Sequence, residues 1–515
     1  MYIEEPVATP SGIRQSIVRN TAWNYAGFAV NLAVNLLLFP AVVARLGDAA
    51  TGVWLLIGSV SGYMGLLQLG LAPAMAQFAA AHIARRDDRE LEDTVSTALA
   101  LVVGLGSLAL LALPAVPWLL QVFAVPPALA GDARIAFTLG IVGVPMQMPG
   151  HVFNAVLSAS QRQDRCTQVW MVSLLGKLLG IAALLMFGYG LAAVMWLETA
   201  LIVVTGVLLG VFAFGAAPQL RVSPAAVSAA SARRLLGLGG WMFVNALSAS
   251  LIEQTDRLVI GLFLAVEAVT HYSAAWKLYM LVFSVSTTLV QAVGPVAAGL
   301  YAGGDTRGLQ QLWLRMTKYT AALAWPLAAS LGLCAGPILH AWLGPAFAVH
   351  YAVVQVLVAT FVITAHNHAA YSVLGAMRRV GPIARRYAVP QAVLNLVLSL
   401  WLVRPLGILG VALGTMAPAL LLEYVFLTFV LRELDLRWED VWRHVVRPTL
   451  APALVAFTPC VAAFAVLGPQ SLWLLPMLTA ASLAYAALFW RALPGKERAE
   501  LLTHLPAPVR TVLPA

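Results

Sequence analysis

Long apolar runs alternate with short, basic, polar loops along almost the whole chain. Reading for apolar stretches of about 20 residues, the length a helix needs to cross a bilayer, gives fourteen candidates centred from Leu32 to Ala480. Most of the 31 Lys and Arg fall in alternate loops, while the loops of the other side hold Arg45, Arg134 and Arg404. Basic residues are retained on the cytoplasmic side of a membrane, so this asymmetry predicts cytoplasmic N- and C-termini. Residues 1–19 are too polar for the apolar core of a signal peptide, and the first apolar helix is expected to serve as an uncleaved anchor.

The pattern also repeats. A shift of 218 residues places Trp23 on Trp241, Leu46 on Leu264 and Asp87-x-Arg89-x-Leu91 on Asp305-x-Arg307-x-Leu309. Further along, a shift of 217 aligns Val156-Leu157 with Val373-Leu374, Arg162 with Arg379 and Gly190 with Gly407. Six helices per repeat make both halves enter the membrane from the same side, which predicts an axis along the membrane normal with a substrate site between the halves. The expected fold is therefore an all-α polytopic membrane protein of about 14 transmembrane helices, two pseudo-symmetric six-helix lobes plus two C-terminal helices. In residue terms the expectation is an N-lobe over 1–215, a cytoplasmic connector over 216–234 rich in Ala, Ser and Pro, and a C-lobe over 235–432. An amphipathic segment over 433–448, the last two helices over 449–491 and a cytoplasmic tail over 492–515 complete it. Trp438 and Trp442 share one face of the amphipathic segment, as in a helix lying on a membrane surface.

One run carries charge where lipid is expected. Trp241–Leu264 is long enough to span, yet holds Glu253, Asp256 and Arg257 near its middle. Charges at that depth cost roughly 2.5–3.5 kcal/mol each on insertion scales, so they face a bundle interior or a watery cavity and mark a pathway. At helical spacing Ser250, Glu253, Asp256 and Arg257 share a face. The bland alternative is that Glu253 and Arg257, four residues apart, simply neutralise each other. Polar stripes recur elsewhere: Asn20, Asn24, Asn31 and Asn35 on the first helix, Gln147, His151, Asn154 and Ser158 on the fourth. Ser273, Lys277, Ser284, Thr288 and Gln291 mark the eighth, and Thr364, His368, Tyr371 and Ser372 the tenth. Each stripe reads either as cavity lining or as hydrogen bonding between helices. Lys177, Glu198 and Glu423 are isolated charges that read as helix-end or locally paired groups.

Composition narrows the classes. At 61% hydrophobic and 10% charged over 515 residues, the chain lies far from the soluble norm of about a quarter charged. A net charge of +9 placed in membrane loops sets orientation and implies no nucleic-acid partner. Cys166, Cys334 and Cys460 are far apart and form no metal or disulfide motif. No G-x-x-x-x-G-K-[ST] loop is present, so ATP hydrolysis is not expected. No cofactor is expected; the energy comes either from an H+ or Na+ gradient, with Glu253 and Asp256 as ion-coupling candidates, or from substrate removal on the far side.

Several short motifs carry a resemblance. They are Phe39-Pro40 followed by Arg45-Leu46-Gly47 and Gly52-Val53-Trp54, then Leu69-Gly70-Leu71, then Gln254-x-Asp256-Arg257-Leu258-x-Ile260-Gly261 and Tyr272-x-x-Ala275-x-Lys277-Leu278. Together they resemble the polysaccharide flippases, the O-antigen and exopolysaccharide branch of the multidrug/oligosaccharidyl-lipid/polysaccharide exporter superfamily. Gln68 and Gln77 stand where the family commonly has an acid and a base. The resemblance implies a flippase that moves polyprenyl-pyrophosphate-linked oligosaccharide across a bacterial inner membrane by alternating access, with no catalysis. It further implies a lipid-linked oligosaccharide and membrane lipids as partners, contact with polymerase and chain-length machinery, and a monomer. Arg257 and Lys277 are the candidates for the pyrophosphate, a group that basic side chains bind through charge-assisted hydrogen bonds. Asn24, Asn31, Asn35, His151, Asn154, Ser250, Gln291 and His368 are the candidates for sugar hydroxyls. Two alternatives are kept: a multidrug/cation antiporter of the same superfamily, and a membrane glycosyltransferase or polymerase, for which no positioned acid/base pair is evident.

Overall fold

The computed structural model describes residues 10–68, 70–290 and 293–504, and among them there is helix and no strand. Gln291 lies outside the described residues, as does the side chain of Asn24. By contacts the chain divides into two compact units, Met1–Thr270 and His271–Ala515.

The first unit holds α1 (Pro10–Met64), α2 (Leu71–Arg85), α3 (Asp88–Ser107), α4 (Ala130–Ala159), α5 (Gln163–Met186), α6 (Leu191–Ala216) and α7 (Ala229–Phe263). In α1 the helix runs 55 residues and breaks at Gly47, whose φ of 79° and ψ of 171° no β-carbon favours. Its large buried side chains, among them Leu71, Met75, Val95, Met148 and Leu209, form one core between α2, α3, α4 and α6. The large side chains left outside are also apolar: Leu179, Met186, Val207 and Val211 line the outer faces of α5 and α6. In water so much exposed apolar surface would be anomalous. Against lipid it is the ground state, and this is a multi-pass membrane protein.

The second unit holds α8 (Val266–Val290, begun in the first unit), α9 (Thr306–Leu333), α10 (Tyr351–Thr364), α11 (Val389–Glu433), α12 (Arg447–Leu467), α13 (Leu474–Ala492) and α14 (Gly495–His504). α11 breaks at Gly407, with φ 59° and ψ −141°. Trp313, Phe426, Tyr387 and Val373 anchor its core. Val441 and Val445 of the short helical segment before α12 enter that core, whereas Trp438 and Trp442 stay exposed.

The repeat is visible in backbone angles. Arg86 and Gly304, related by the 218 shift, are both left-handed (φ 55° and 70°). Directly after them, Asp87 caps α3 through the Glu90 N–H (3.2 Å), and Asp305 caps α9 through the Gly308 N–H (2.8 Å). Gln161 and Arg378, related by the 217 shift, are left-handed too (φ 60° and 59°).

Among the described residues, ten helical runs are long and apolar enough to cross a membrane, or eleven if α9 and the following Ala335–Leu343, bent by 65°, are one span. The count of fourteen is therefore not reached by length and composition. Two of the runs, Ala26–Gln68 and Gly381–Glu433, are 43 and 53 residues long and pass through the kinks at Gly47 and Gly407. At about 1.5 Å per residue they are roughly two to nearly three times as long as the hydrocarbon core is thick. A kink replaces the loop that the sequence reading places there.

The 216–234 segment, the Ala-, Ser- and Pro-rich connector of the sequence, is strapped to α3. The Ser223 N–H donates to Ser96 Oγ (3.1 Å), the Ser228 N–H donates to Thr97 Oγ1 (2.9 Å), and Arg234 pairs with Glu90 (2.7 Å).

Candidate functional site

Within the first unit, α7 and the start of α8 pack on α1 because glycine lets them come close. A β-carbon at Gly52 would fall 2.0 Å from the Val266 carbonyl oxygen, and one at Gly261 would fall 2.7 Å from Leu56 Cδ2. Small residues are how membrane helices gain dispersion contacts when no water drives them together. Higher on the same interface, the hydroxyls of Tyr63 and Thr255 are hydrogen-bonded to one another. This docking sorts the charges of α7. Asp256 is only 1% exposed, Arg257 is half-buried and donates from Nη1 to Gln254 Oε1 (3.2 Å), and Glu253 is exposed within the field of Arg257. Ser250 is half-buried one turn earlier. The four polar groups thus share a helix but not one environment.

A second polar centre lies between α4, α5 and α6, where a cavity of about 290 Å³ is lined by Gln147, His151, Ser173, Lys177, Glu198 and Thr205 among apolar side chains. Lys177 and Glu198 pair at 2.5 Å. The other oxygen of Glu198 accepts from Trp54 Nε1 (3.2 Å), and the Lys177 ammonium stands 5.1 Å from the centre of the Trp54 ring. Thr205 Oγ1 donates to Ser173 Oγ (2.8 Å). Lys177 and Glu198, read from sequence as incidental charges, are the ionic core of this cavity. Their signal was available: they have opposite sign and lie at nearly equal distances from the Phe187–Gly190 turn that joins α5 to α6. Antiparallel neighbours with a short turn bring such positions together.

The second unit has its own buried polar knot. Glu423, 8% exposed, contacts His366 Nε2 (2.7 Å) and accepts from Asn367 Nδ2 (3.3 Å), and Asn367 also donates to the Tyr387 hydroxyl (3.0 Å). Beside His366 lies a cavity of about 170 Å³ walled by Trp313, Trp325, Val362 and Leu427.

The remaining sequence candidates scatter. Asn35 spends its amide on Asn31, donating to both the carbonyl and the side-chain oxygen at 2.9 Å. Asn154 is half-buried and its carbonyl meets the Cys166 thiol at 3.9 Å. Lys277 is half-buried on α8 in the second unit. His368 turns to its own backbone, 3.3 Å from the Ala365 carbonyl, and stands edge-on to Phe283 at 4.7 Å. Among the described residues no three His, Cys, Asp or Glu side chains are placed to hold a metal.

Residues 63–352, more than half of the chain, match the sequence profile of a family described as Polysaccharide biosynthesis protein. The chain belongs to this family. The match takes in the Gln254–Gly261 and Tyr272–Leu278 motifs that carried the resemblance to polysaccharide flippases. Over 332 residues this family member is 26% identical to the "Uncharacterized membrane protein EpsK" of Bacillus subtilis (strain 168), taking in 64% of this chain and 65% of EpsK, just under two thirds of that relative. It is 21% identical over 417 residues to a "Putative O-antigen transporter" of Shigella flexneri, covering 80% of this chain and 98% of the relative. Among solved structures, an inward-facing multidrug resistance MATE family transporter of the MOP superfamily matches with a TM-score of 0.69 at 16% identity, over 79% of this chain and 94% of that one. The polysaccharide biosynthesis protein described here thus has the MATE transporter fold.

Proposed function

We propose that this polysaccharide biosynthesis protein is a transporter rather than an enzyme: a flippase that moves polyprenyl-pyrophosphate-linked oligosaccharide across the bacterial inner membrane by alternating access, for surface polysaccharide assembly. The observation that carries the reading is the set of hydrogen-bonding groups held at membrane depth in a member of this family. A sugar headgroup crossing a hydrocarbon core needs partners for its hydroxyls, since each unsatisfied polar group there costs several kcal/mol. Gln147, His151, Ser173 and Thr205 around the Lys177–Glu198 pair are such partners, mostly uncharged. Arg257 on α7 is the anchor assigned to the pyrophosphate, its planar fork matching two phosphate oxygens. The likeness to a protein named as an O-antigen transporter supports the substrate class. The asymmetry of the basic loops supports cytoplasmic N- and C-termini. An H+ or Na+ gradient is the energy source proposed.

Deleting the protein is expected to accumulate one polyprenyl-linked glycan on the cytoplasmic face of the membrane. A deletion strain with unchanged lipid-linked glycans on both faces refutes the proposal. The role of Arg257 is decided by Glu253→Gln combined with Arg257→Gln. A double variant that inserts, folds and fails to export supports the anchor, and one that exports normally reduces Arg257 to a structural partner of Glu253.

A further inference from the structure

Helices α12 and α13 lie outside the repeat and have no part in the proposed transport. Where they meet the preceding segment, a groove of about 430 Å³ opens, with Arg443 and Arg447 at one end and Ala451, Val455, Leu488 and Ala492 among its walls. Arg443, Arg447, Ala451 and Val455 follow one another at intervals of four, so they lie one above the other along a single helical face. The face is cationic at its end and aliphatic below.

The level of the two arginines is marked independently. Trp442 and Trp438 are exposed beside them, and Trp438 stacks on Tyr424 with ring centres 5.5 Å apart. Exposed tryptophans of membrane proteins gather at the headgroup level, where an amphipathic ring has both of its environments. The backbone at this place is a π-helical turn over Trp442–Val446, a rare geometry that is frequently found at functional sites. Two like charges one turn apart repel each other. Arg443 is drawn to Glu439 on its outer side (2.5 Å), and the Arg447 guanidinium has no hydrogen bond or ion pair among the described residues. A dianionic or monoanionic phosphate seated between the two guanidiniums removes the repulsion and uses the donors of both.

We infer that this groove binds an anionic glycerophospholipid, with its phosphate held by Arg443 and Arg447 and one acyl chain laid along Ala451, Val455 and Leu488. Charge complementarity at the headgroup level and an aliphatic wall directly beneath it fit that class and no soluble anion. Basic pockets between membrane helices are a recurrent way of holding such lipids. The inference rests on the chain being a membrane protein and stands whether or not its cargo is a glycan.

Native mass spectrometry of the purified full-length protein tests it, with phosphatidylglycerol, phosphatidylcholine and a polyprenyl phosphate added in turn. The wild type is expected to retain phosphatidylglycerol in preference to phosphatidylcholine. Arg443→Gln and Arg447→Gln are each expected to weaken retention roughly fivefold, and the pair roughly 25-fold. Ala451→Trp fills the groove, leaves both charges in place and is expected to remove the retained lipid, which keeps the test open should the double arginine variant fail to fold. Equal retention of the two phospholipids overturns the inference. So does a folded double variant that still holds phosphatidylglycerol, or stronger retention of the polyprenyl phosphate than of phosphatidylglycerol at this groove.

Discussion

The cation most deeply held in α9 has its counter-ion on the last helix. Lys318 is 3% exposed and pairs with Glu497 of α14, with the Lys318 ammonium also 5.5 Å from the centre of the Tyr319 ring. Replacing Glu497 by Gln leaves a buried ammonium with a neutral neighbour. Removing one partner of a buried pair costs about 3–5 kcal/mol, because the other charge stays desolvated. At about 2–4 °C of melting temperature per kcal/mol for a domain of this size, Glu497→Gln is expected to lower the melting temperature by roughly 6–20 °C, as read by tryptophan fluorescence in detergent micelles. The neighbouring pair, Arg315 with Glu500 at 3.1 Å, is the internal control, since its side chains are 42% and 54% exposed. Exposed pairs contribute about 0–1 kcal/mol, so Glu500→Gln is expected to shift the melting temperature by less than about 4 °C. Adding Lys318→Met to Glu497→Gln removes the stranded charge and is expected to restore most of the loss. A Glu497→Gln protein melting no lower than Glu500→Gln would show that α14 is not held by this buried pair.

The other expectations concern packing, the α5–α6 cavity and pH. Gly52→Val drives side-chain atoms into the Val266 carbonyl and is expected to cost about 1–3 kcal/mol or more, whereas Gly58→Ala, with nothing within 4 Å of the added carbon, is expected to be neutral; monodispersity on gel filtration reads both. Lys177→Met strands Glu198 with only the Trp54 indole and is expected to lower the yield of folded protein, and Glu198→Gln added to it is expected to recover the fold without recovering export. Full export by that double variant would remove the cavity from the transport path. In the turn before α10, burial first and the neighbouring His271, at 3.0 Å, second push the His350 imidazole below its usual 6.5. Below pH 6.5 the unfolded chain then takes up a proton that the folded one refuses, so stability is lost on acidification from that point. The decline in melting temperature between pH 7 and pH 5 is expected to be shallower in His350→Gln.

Features governed by local backbone chemistry could be read directly from the residues. The 218 shift rests on an Asp at each helix start, and both aspartates do cap their helices after a left-handed residue, Arg86 in one half and Gly304 in the other. An N-cap requires only the chain's own next turn. The polar stripes were less legible, because a stripe states which residues share a helix face and not what stands opposite. Asn31 and Asn35 share a face, and the Asn35 amide donates to Asn31. His368 lies on the predicted face of its helix and packs against Phe283. Lys177 and Glu423 looked incidental because neither has another charge within one turn of its own helix, and their partners, Glu198 on the next helix and His366 57 residues away, are supplied by tertiary structure.

The connector shows why composition misleads in the same way. Ala, Ser and Pro make a segment with little to bury, which in isolation would remain mobile. Yet its backbone N–H groups need acceptors wherever water is displaced, and two adjacent hydroxyls of α3 supply them: Ser96 takes the N–H of Ser223, and Thr97 takes that of Ser228. Both hydroxyls sit on a helix that buries them, Ser96 at 3% and Thr97 at 0% exposure, so their lone pairs face the connector and not solvent. Ser228 then turns its own hydroxyl to the Ser231 N–H and starts α7. The order of this segment comes from two hydroxyls more than a hundred residues upstream, and the position of α7 within the first unit follows from them together with the close approach of Gly261 to Leu56.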